Sequence, residues 1–189
     1  MSSYKRIHIY GHVSAQPQAI ANLFDAQLAS EIVAESDLAI FAINPAAGVD
    51  QKTIDQWQAL SDFQLPRLVV VNELDGSDAD FEDAIMLANR VFDQLVTPYL
   101  VLHSESGSPI ALISLSDLQI IDYSTNPPTT SASEVEHQEL VAEFREEYLD
   151  EIAGAGDNAF AAGLLFPAIP IVVSNGLGID VVKRFINQL

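Results

Sequence analysis

The sequence predicts an α/β fold of three layers around a mainly parallel sheet, and three observations carry that prediction. Short apolar runs alternate with longer amphipathic stretches along most of the 189 residues. Leu68–Val71 and Ile171–Val173 lack polar alternation, as strands covered on both faces do. A composition of 49% hydrophobic and 19% charged residues supplies a core and excludes a disordered chain. The length suits one domain over 1–189.

Five runs read as strands: Arg6–Tyr10, expected centrally in the sheet, then Leu38–Ile43, Leu68–Asn72, Pro98–His103 and Ile169–Val173. Apolar residues recurring at three and four predict helices near 17–35, 50–63, 78–95, 134–153 and 178–188. Leu87, Val91 and Leu95 mark one such stripe. Pro17 suits a first helical turn, where its fixed φ is preformed and its missing N–H is not needed.

The alternation breaks from about 104 to 133. Ser104–Pro109 reads as a turn, Ile110–Leu115 and Leu118–Tyr123 as a hairpin-like pair, and Ser124–Ser133 as a Pro/Thr/Ser loop and candidate boundary. Together with the acidic helix after it, this forms a small insert at about 104–160. Ser131 with Glu134 and Ser133 with Glu136 are overlapping capping-box signatures for that helix, and Gly154 and Gly156 are its stop.

Charge narrows the function. With 27 acidic against 8 basic residues the formal net charge is −19, which repels DNA, RNA and anionic membrane. No long uncharged apolar run or signal-peptide pattern opens the chain, so a cytoplasmic protein is expected. The absence of cysteine excludes disulfides, thiolate zinc sites, iron–sulfur clusters and a cysteine nucleophile. His8 and His12 fall on a strand and its following turn, where an i, i+4 spacing does not converge, and with His103 and His137 they predict no metal site. No GxSxG occurs, and Gly107-Ser108 has no base nearby. Residues 134–151 carry eight carboxylates and one arginine, either a solvated helix face or a docking face for a basic protein through Glu139, Glu143 and Glu147.

The order of several segments resembles the G domain of elongation factor G and related translational GTPases. Ile7-His8-Ile9-Tyr10-Gly11-His12-Val13 is similar to the family's opening strand and loop, and Leu38–Ile43 with Asn44-Pro45-Ala46-Ala47-Gly48-Val49 and Thr53 to its VVDAxxGVxxQT stretch. Pro66–Val71 with Asn72-Glu73-Leu74-Asp75 resembles the strand that ends in the guanine-reading NKxD motif, and Ala79-Asp80-Phe81 the GADF segment after it. Ile110–Ile121 is similar to the strand pair of the insert peculiar to elongation factor G, and Ile171–Leu189 to the last strand, serine loop and C-terminal helix. The resemblance thus implies a P-loop-GTPase-like fold.

It also implies positions at which this sequence departs from the family. A phosphate loop reads GxxxxGK[ST], whose backbone N–H groups and lysine hold phosphates while a hydroxyl holds magnesium. Here Gly11 is followed by Gln16 for the glycine, Pro17 for the lysine and Gln18 for the hydroxyl residue, which also reads as an ordinary strand–helix turn. No DxxG motif is found, and the segment between the helix at Pro17 and the strand at Leu38 leaves no room for both a switch loop and the strand that precedes that motif in the family. In the family's base pocket Asn72 and Asp75 match, Ser174 falls near the serine loop, and Glu73 stands where a lysine belongs. Asn72 and Asp75 also read as a turn capping the next helix.

These features predict a catalytically inactive, GTPase-like domain that needs no cofactor and acts through an unknown protein partner, either basic or translation-related. Two alternatives stay open. One is a guanine nucleotide or nucleoside binder with an altered phosphate site, taking GTP or GDP with magnesium; the other is a decayed paralogue without activity. The downstream domains of elongation factor G are not in this sequence, which argues against translocase activity.

Overall fold

Successive side chains of a strand point to opposite faces, yet every residue of Leu38–Ile43 and Arg67–Val71 is buried. Both faces of that sheet are therefore covered. The structure, a computed structural model, describes residues 4–76 and 79–189. In chain order it runs β1 (Ile7–Gly11), α1 (Pro17–Leu23), β2 (Gln27–Leu28), β3 (Leu38–Ile43), α2 (Gln51–Ser61), β4 (Arg67–Val71), α3 (Phe81–Ala88) and β5 (Leu95–Val96). There follow β6 (Tyr99–His103), β7 (Pro109–Ser114), β8 (Gln119–Asp122), β9 (Thr129–Ala132), α4 (Val135–Leu140), α5 (Ala142–Ala155), β10 (Phe166–Pro170) and α6 (Ile179–Ile186).

The main sheet has the order β2-β1-β3-β4-β10-β5 with every pairing parallel, so the expected α/β class and mainly parallel sheet stand. β1 lies one strand in from the edge rather than centrally, because β2 is a two-residue edge and β3 and β4 take the middle. The expected strand 98–103 is β6, but it opens the separate antiparallel sheet β6-β7-β8-β9. Of the expected loop 124–133, residues 129–132 form β9, which pairs with β8. β10 begins three residues before the expected start at Ile169 and spans Pro167 and Pro170.

The helices are shorter than their apolar stripes. The first ends at Leu23, since the chain turns at Asp25 with φ 50° to pair Gln27 and Leu28 with β1. The expected start at 78 lies outside the described residues, and α3 begins at Phe81, where the carboxylate of Asp80 accepts the Asp83 N–H at 2.9 Å. The acidic helix is broken at Val141, which is buried while α4 and α5 bury none of their own residues. Its capping boxes do not form. Ser131 is in β9, Glu134 occupies the cap without a side-chain bond, and Ser133 instead accepts from Gln138. Gly156 is the stop, with φ 83°, whereas Gly154 is helical.

An aromatic cluster of the core gathers around α2. Trp57 stacks on Phe92 at 4.3 Å between ring centroids and meets Phe41 and Phe166 edge-on. Arg67, 3% exposed, lies 4.2 Å over Trp57 and 4.3 Å over Phe166 and donates to the Trp57 carbonyl and Ser61 Oγ. Its guanidinium meets Asp93 at 3.4 Å, and Asp93 also accepts from Trp57 Nε1. A buried charge held by an ion pair, hydrogen bonds and ring faces is compatible with a core.

Candidate functional site

Parallel sheets gather their functional loops at the carboxyl ends of their strands, and here those loops follow β1, β4 and β10. Gly11 ends β1 with φ 150°, and a Cβ there would lie 2.6 Å from the Ala42 carbonyl oxygen of β3. Only glycine lets the two strands run this close. His12 then caps a short 3₁₀ turn, Val13–Ala15.

That turn closes on itself. The Ser14 N–H donates to His12 Nδ1 at 3.2 Å, the Ala15 N–H to the His12 carbonyl at 3.0 Å, and the Gln16 N–H to the Val13 carbonyl at 3.0 Å. Gln16 is left-handed, φ 55°, and is followed by Pro17 at the first position of α1, as the sequence predicts. Gln18 is exposed and donates to Asn22, one turn along α1. Three successive N–H groups are thus satisfied internally, and the fourth position has none.

The loops after β3 and β4 buttress this turn. Asn44 Nδ2 donates to the Ser14 carbonyl at 2.9 Å, and Asn72, 2% exposed, donates through Nδ2 to the Ala15 carbonyl at 3.0 Å. The cap of α3 is Asp80, while Nδ2 of Asn72 bonds back to the turn after β1. Asp75, at the exposed end of the loop, accepts from Ser174 Oγ at 3.0 Å across 99 residues of sequence, which joins the loops after β4 and β10. Glu73 between them has φ 63°. Asn72, Asp75 and Ser174 form two separate ties, one to the turn after β1 and one between neighbouring loops.

Sequence reasoning missed Asn44 and Lys52 as site residues. Asn44 has a readable signal, an amide directly after an apolar strand. Lys52, in the first turn of α2, lines a groove of about 630 Å³ beside Gln16 and Gln18, and nothing in the sequence places it there. The four histidines do not converge: His8 is buried with Nδ1 2.6 Å from Ser36 Oγ, and burial pushes its pKa below the ordinary value, whereas His12 pairs with Ser14. Among the described residues no group of three histidine or carboxylate side chains could hold a metal.

The predicted docking residues are all exposed, but they are not one continuous row. Glu143 and Glu147 share α5, while Glu139 lies across the break at Val141 on α4. Apolar Val135, Leu140 and Phe144 are exposed among them. Phe144 and Glu147 border a small cleft of about 170 Å³ against Phe81 and Ile85 of α3.

The strand order defines an α/β domain with a mainly parallel six-stranded sheet and a second, antiparallel one. The chain resembles the G domain of elongation factor G, as the sequence implies. It is 30% identical over 164 residues to an elongation factor G-like protein of Mycobacterium tuberculosis, a match covering 76% of this chain and 23% of that protein. It is 27% identical over 127 residues to the mitochondrial ribosome-releasing factor 2 of Drosophila melanogaster, covering 64% of the chain and 17% of that protein. The corresponding factor of Anopheles gambiae is 28% identical over 127 residues. The chain thus spans less than a quarter of the length of the relatives it matches. A crystal structure from Thermus thermophilus superposes with a TM-score of 0.71 over 82% of this chain and 26% of that one, at 21% identity, which is a likeness of fold. No protein-family profile matches the chain.

Proposed function

We propose that this GTPase-like, translation-factor-related domain does not hydrolyse GTP and acts by binding a protein partner. The turn after β1 carries the reading. A phosphate loop must offer free N–H groups, a cation and a hydroxyl, whereas here Ser14, Ala15 and Gln16 donate within the turn, Pro17 has no N–H and Gln18 no hydroxyl. These residues do not fit a triphosphate with magnesium. Lys52 borders the adjoining groove from another element and supplies one cation without those donors.

The partner face on this reading is the acidic pair α4 and α5, with Glu139, Glu143 and Glu147 around exposed Val135, Leu140 and Phe144. Exposed apolar side chains among carboxylates complement a basic, partly apolar protein surface. Titration with a fluorescent GDP analogue, competed by plain GDP, tests the nucleotide half: no saturation below about 1 mM is expected, and low-micromolar binding overturns it. Pull-down from native cytosol at moderate salt, followed by binding kinetics against the recovered protein, tests the partner half.

One observation favours a second reading. The Asp75–Ser174 hydrogen bond keeps together the two loops that resemble a guanine pocket, so base recognition without phosphate recognition is chemically coherent. Guanosine and GMP binding that is lost in Asp75→Ala would replace the first reading with this one.

A further inference from the structure

One sizeable cleft lies away from the turn after β1. It measures about 800 Å³ and lies between the antiparallel sheet and α6, walled by β8, the 123–128 connection and β9 on one side and by α6 on the other. Its lining is polar with two phenol rings, Tyr99 and Tyr123, and the aliphatic side chains of Ile121 and Ile179.

Its charges are largely committed, which identifies the group left over. Asp180 accepts the Tyr123 hydroxyl on Oδ1 at 2.5 Å and meets Arg184 at 3.7 Å through Oδ2. Both carboxylate oxygens are occupied, and the Arg184 guanidinium also lies 5.8 Å from the Tyr99 ring centroid. The Lys183 ammonium has no ion pair or hydrogen bond among the described residues, although the chain has 27 acidic residues to offer one. The side chains of Gln119, Asn126 and Thr130, which line the same cleft from the opposite wall, likewise make no hydrogen bond among the described residues. One cation, two amides and a hydroxyl, drawn from three strands or loops and a helix, therefore face one cavity with their capacity unspent.

We propose that this cleft binds a small polyhydroxylated ligand bearing one anionic group, a sugar phosphate or a sugar acid. Lys183 takes the anionic group. Gln119, Asn126 and Thr130 exchange hydrogen bonds with ligand hydroxyls, and the ring faces and Ile121 accept its C–H surface. A polyanion does not suit the site, because only one cation is free and the whole chain, at −19, repels it. A neutral sugar leaves Lys183 unanswered. The cleft touches the loop of Ser174, which ties to Asp75, but none of its lining comes from the turn after β1, and the proposed ligand contacts use neither Asp75 nor Ser174.

The test is a ¹H–¹⁵N shift titration of the full chain with glucose 6-phosphate, glucuronate, glucose and inorganic phosphate. Glucose 6-phosphate or glucuronate should saturate with a Kd below about 1 mM and move the amides of Gln119, Thr130 and Lys183, and whichever binds tighter assigns the anion. Glucose and phosphate should bind at least about tenfold more weakly. Lys183→Gln should cost about tenfold or more with the spectrum otherwise native, as should Thr130→Val, whereas Arg6→Gln, remote on β1's approach, should leave binding unchanged. Phosphate binding as tightly as the sugar phosphate would show a bare cation site and overturn the proposal. So would unchanged affinity in Lys183→Gln, shifts centred on Gly11–Gln18, or no shift at about 10 mM ligand.

Discussion

Around Trp57 and Arg67, side chains from α2, β4 and β10 share one another's space, so that an aromatic ring, a guanidinium and a carboxylate are each fixed by several neighbours. Along α4 and α5 the contacts are sparser: neither helix fully buries a residue, and the pair is attached through buried Val141 at the break, half-buried Tyr148 packed on the core and the Arg145 bond to the Ser116 carbonyl. Sequence changes in the first region should register in stability, and changes in the second in association. Most helical stability in proteins comes from a packed face, so two helices with no fully buried residue rest on few contacts with the remainder of the chain.

Trp57→Ala should give the largest effect. Trp57 is 1% exposed, and its loss empties a cavity and removes the ring faces under Arg67, so a destabilisation of about 3–5 kcal/mol is expected in urea unfolding. A loss under about 1 kcal/mol would break the comparison at its strong end. Asp93→Asn should follow. The amide oxygen can still accept from Trp57 Nε1, so the change isolates the charge opposite Arg67, whose own pKa is pushed down first by burial and is supported by Asp93. Because the Asp93 side chain is 52% exposed, about 1–2 kcal/mol is expected, below the cost of breaking a fully buried pair.

At the weak end the sign reverses. Burial, then the neighbouring Glu147, pushes the Glu151 carboxyl above its ordinary value of 4.5, opposed by the hydrogen bond from Gln94. A raised folded-state pKa contributes stability that is complete below about pH 4.5 and is lost as pH rises through the folded value. Glu151→Gln should therefore stabilise by a few tenths of a kcal/mol at pH 7, and the gain should vanish below pH 4.5; thermal unfolding at both pH values checks it. Replacing Glu139, Glu143 and Glu147 together by glutamine should change stability least, by at most a few tenths of a kcal/mol upward, since only Glu143 and Glu147 share a helix one turn apart. Stopped-flow association of that variant with the recovered partner should be slower at low salt, and a wild-type rate there would reduce the acidic face to a solvated surface.

How far the sequence is legible follows the same divide. β3 is readable to the residue, because a fully buried strand has no polar positions to blur its ends, and Pro17 marks the start of α1. Apolar periodicity does not say which sheet a strand joins, so 98–103 reads as one more parallel strand although its register with β7 is antiparallel. Residues 24–35 have helical composition, but pairing of Gln27–Leu28 with β1 overrides it. Pro167 and Pro170 hide the start of β10, whose pairing runs through Ala168, Ile169 and the Ile171 N–H. At the site, motif spacing locates Gly11, Asn72, Asp75 and Ser174, but which bond each makes is not readable. Hydrogen-bond partners 57 and 99 residues apart are set by the packing of loops from different strands.

The self-contained turn after β1 has a consequence for folding in the cell. A loop whose donors wait for phosphate leaves the empty protein less stable than the loaded one, and its folded population then rises and falls with ligand concentration. Here Ser14, Ala15 and Gln16 have their acceptors within the turn, and Asn44 and Asn72 tie two of its carbonyls to neighbouring strands. On the reading proposed above, the melting temperature is independent of added guanine nucleotide, and the domain stays folded when the cellular nucleotide pool falls.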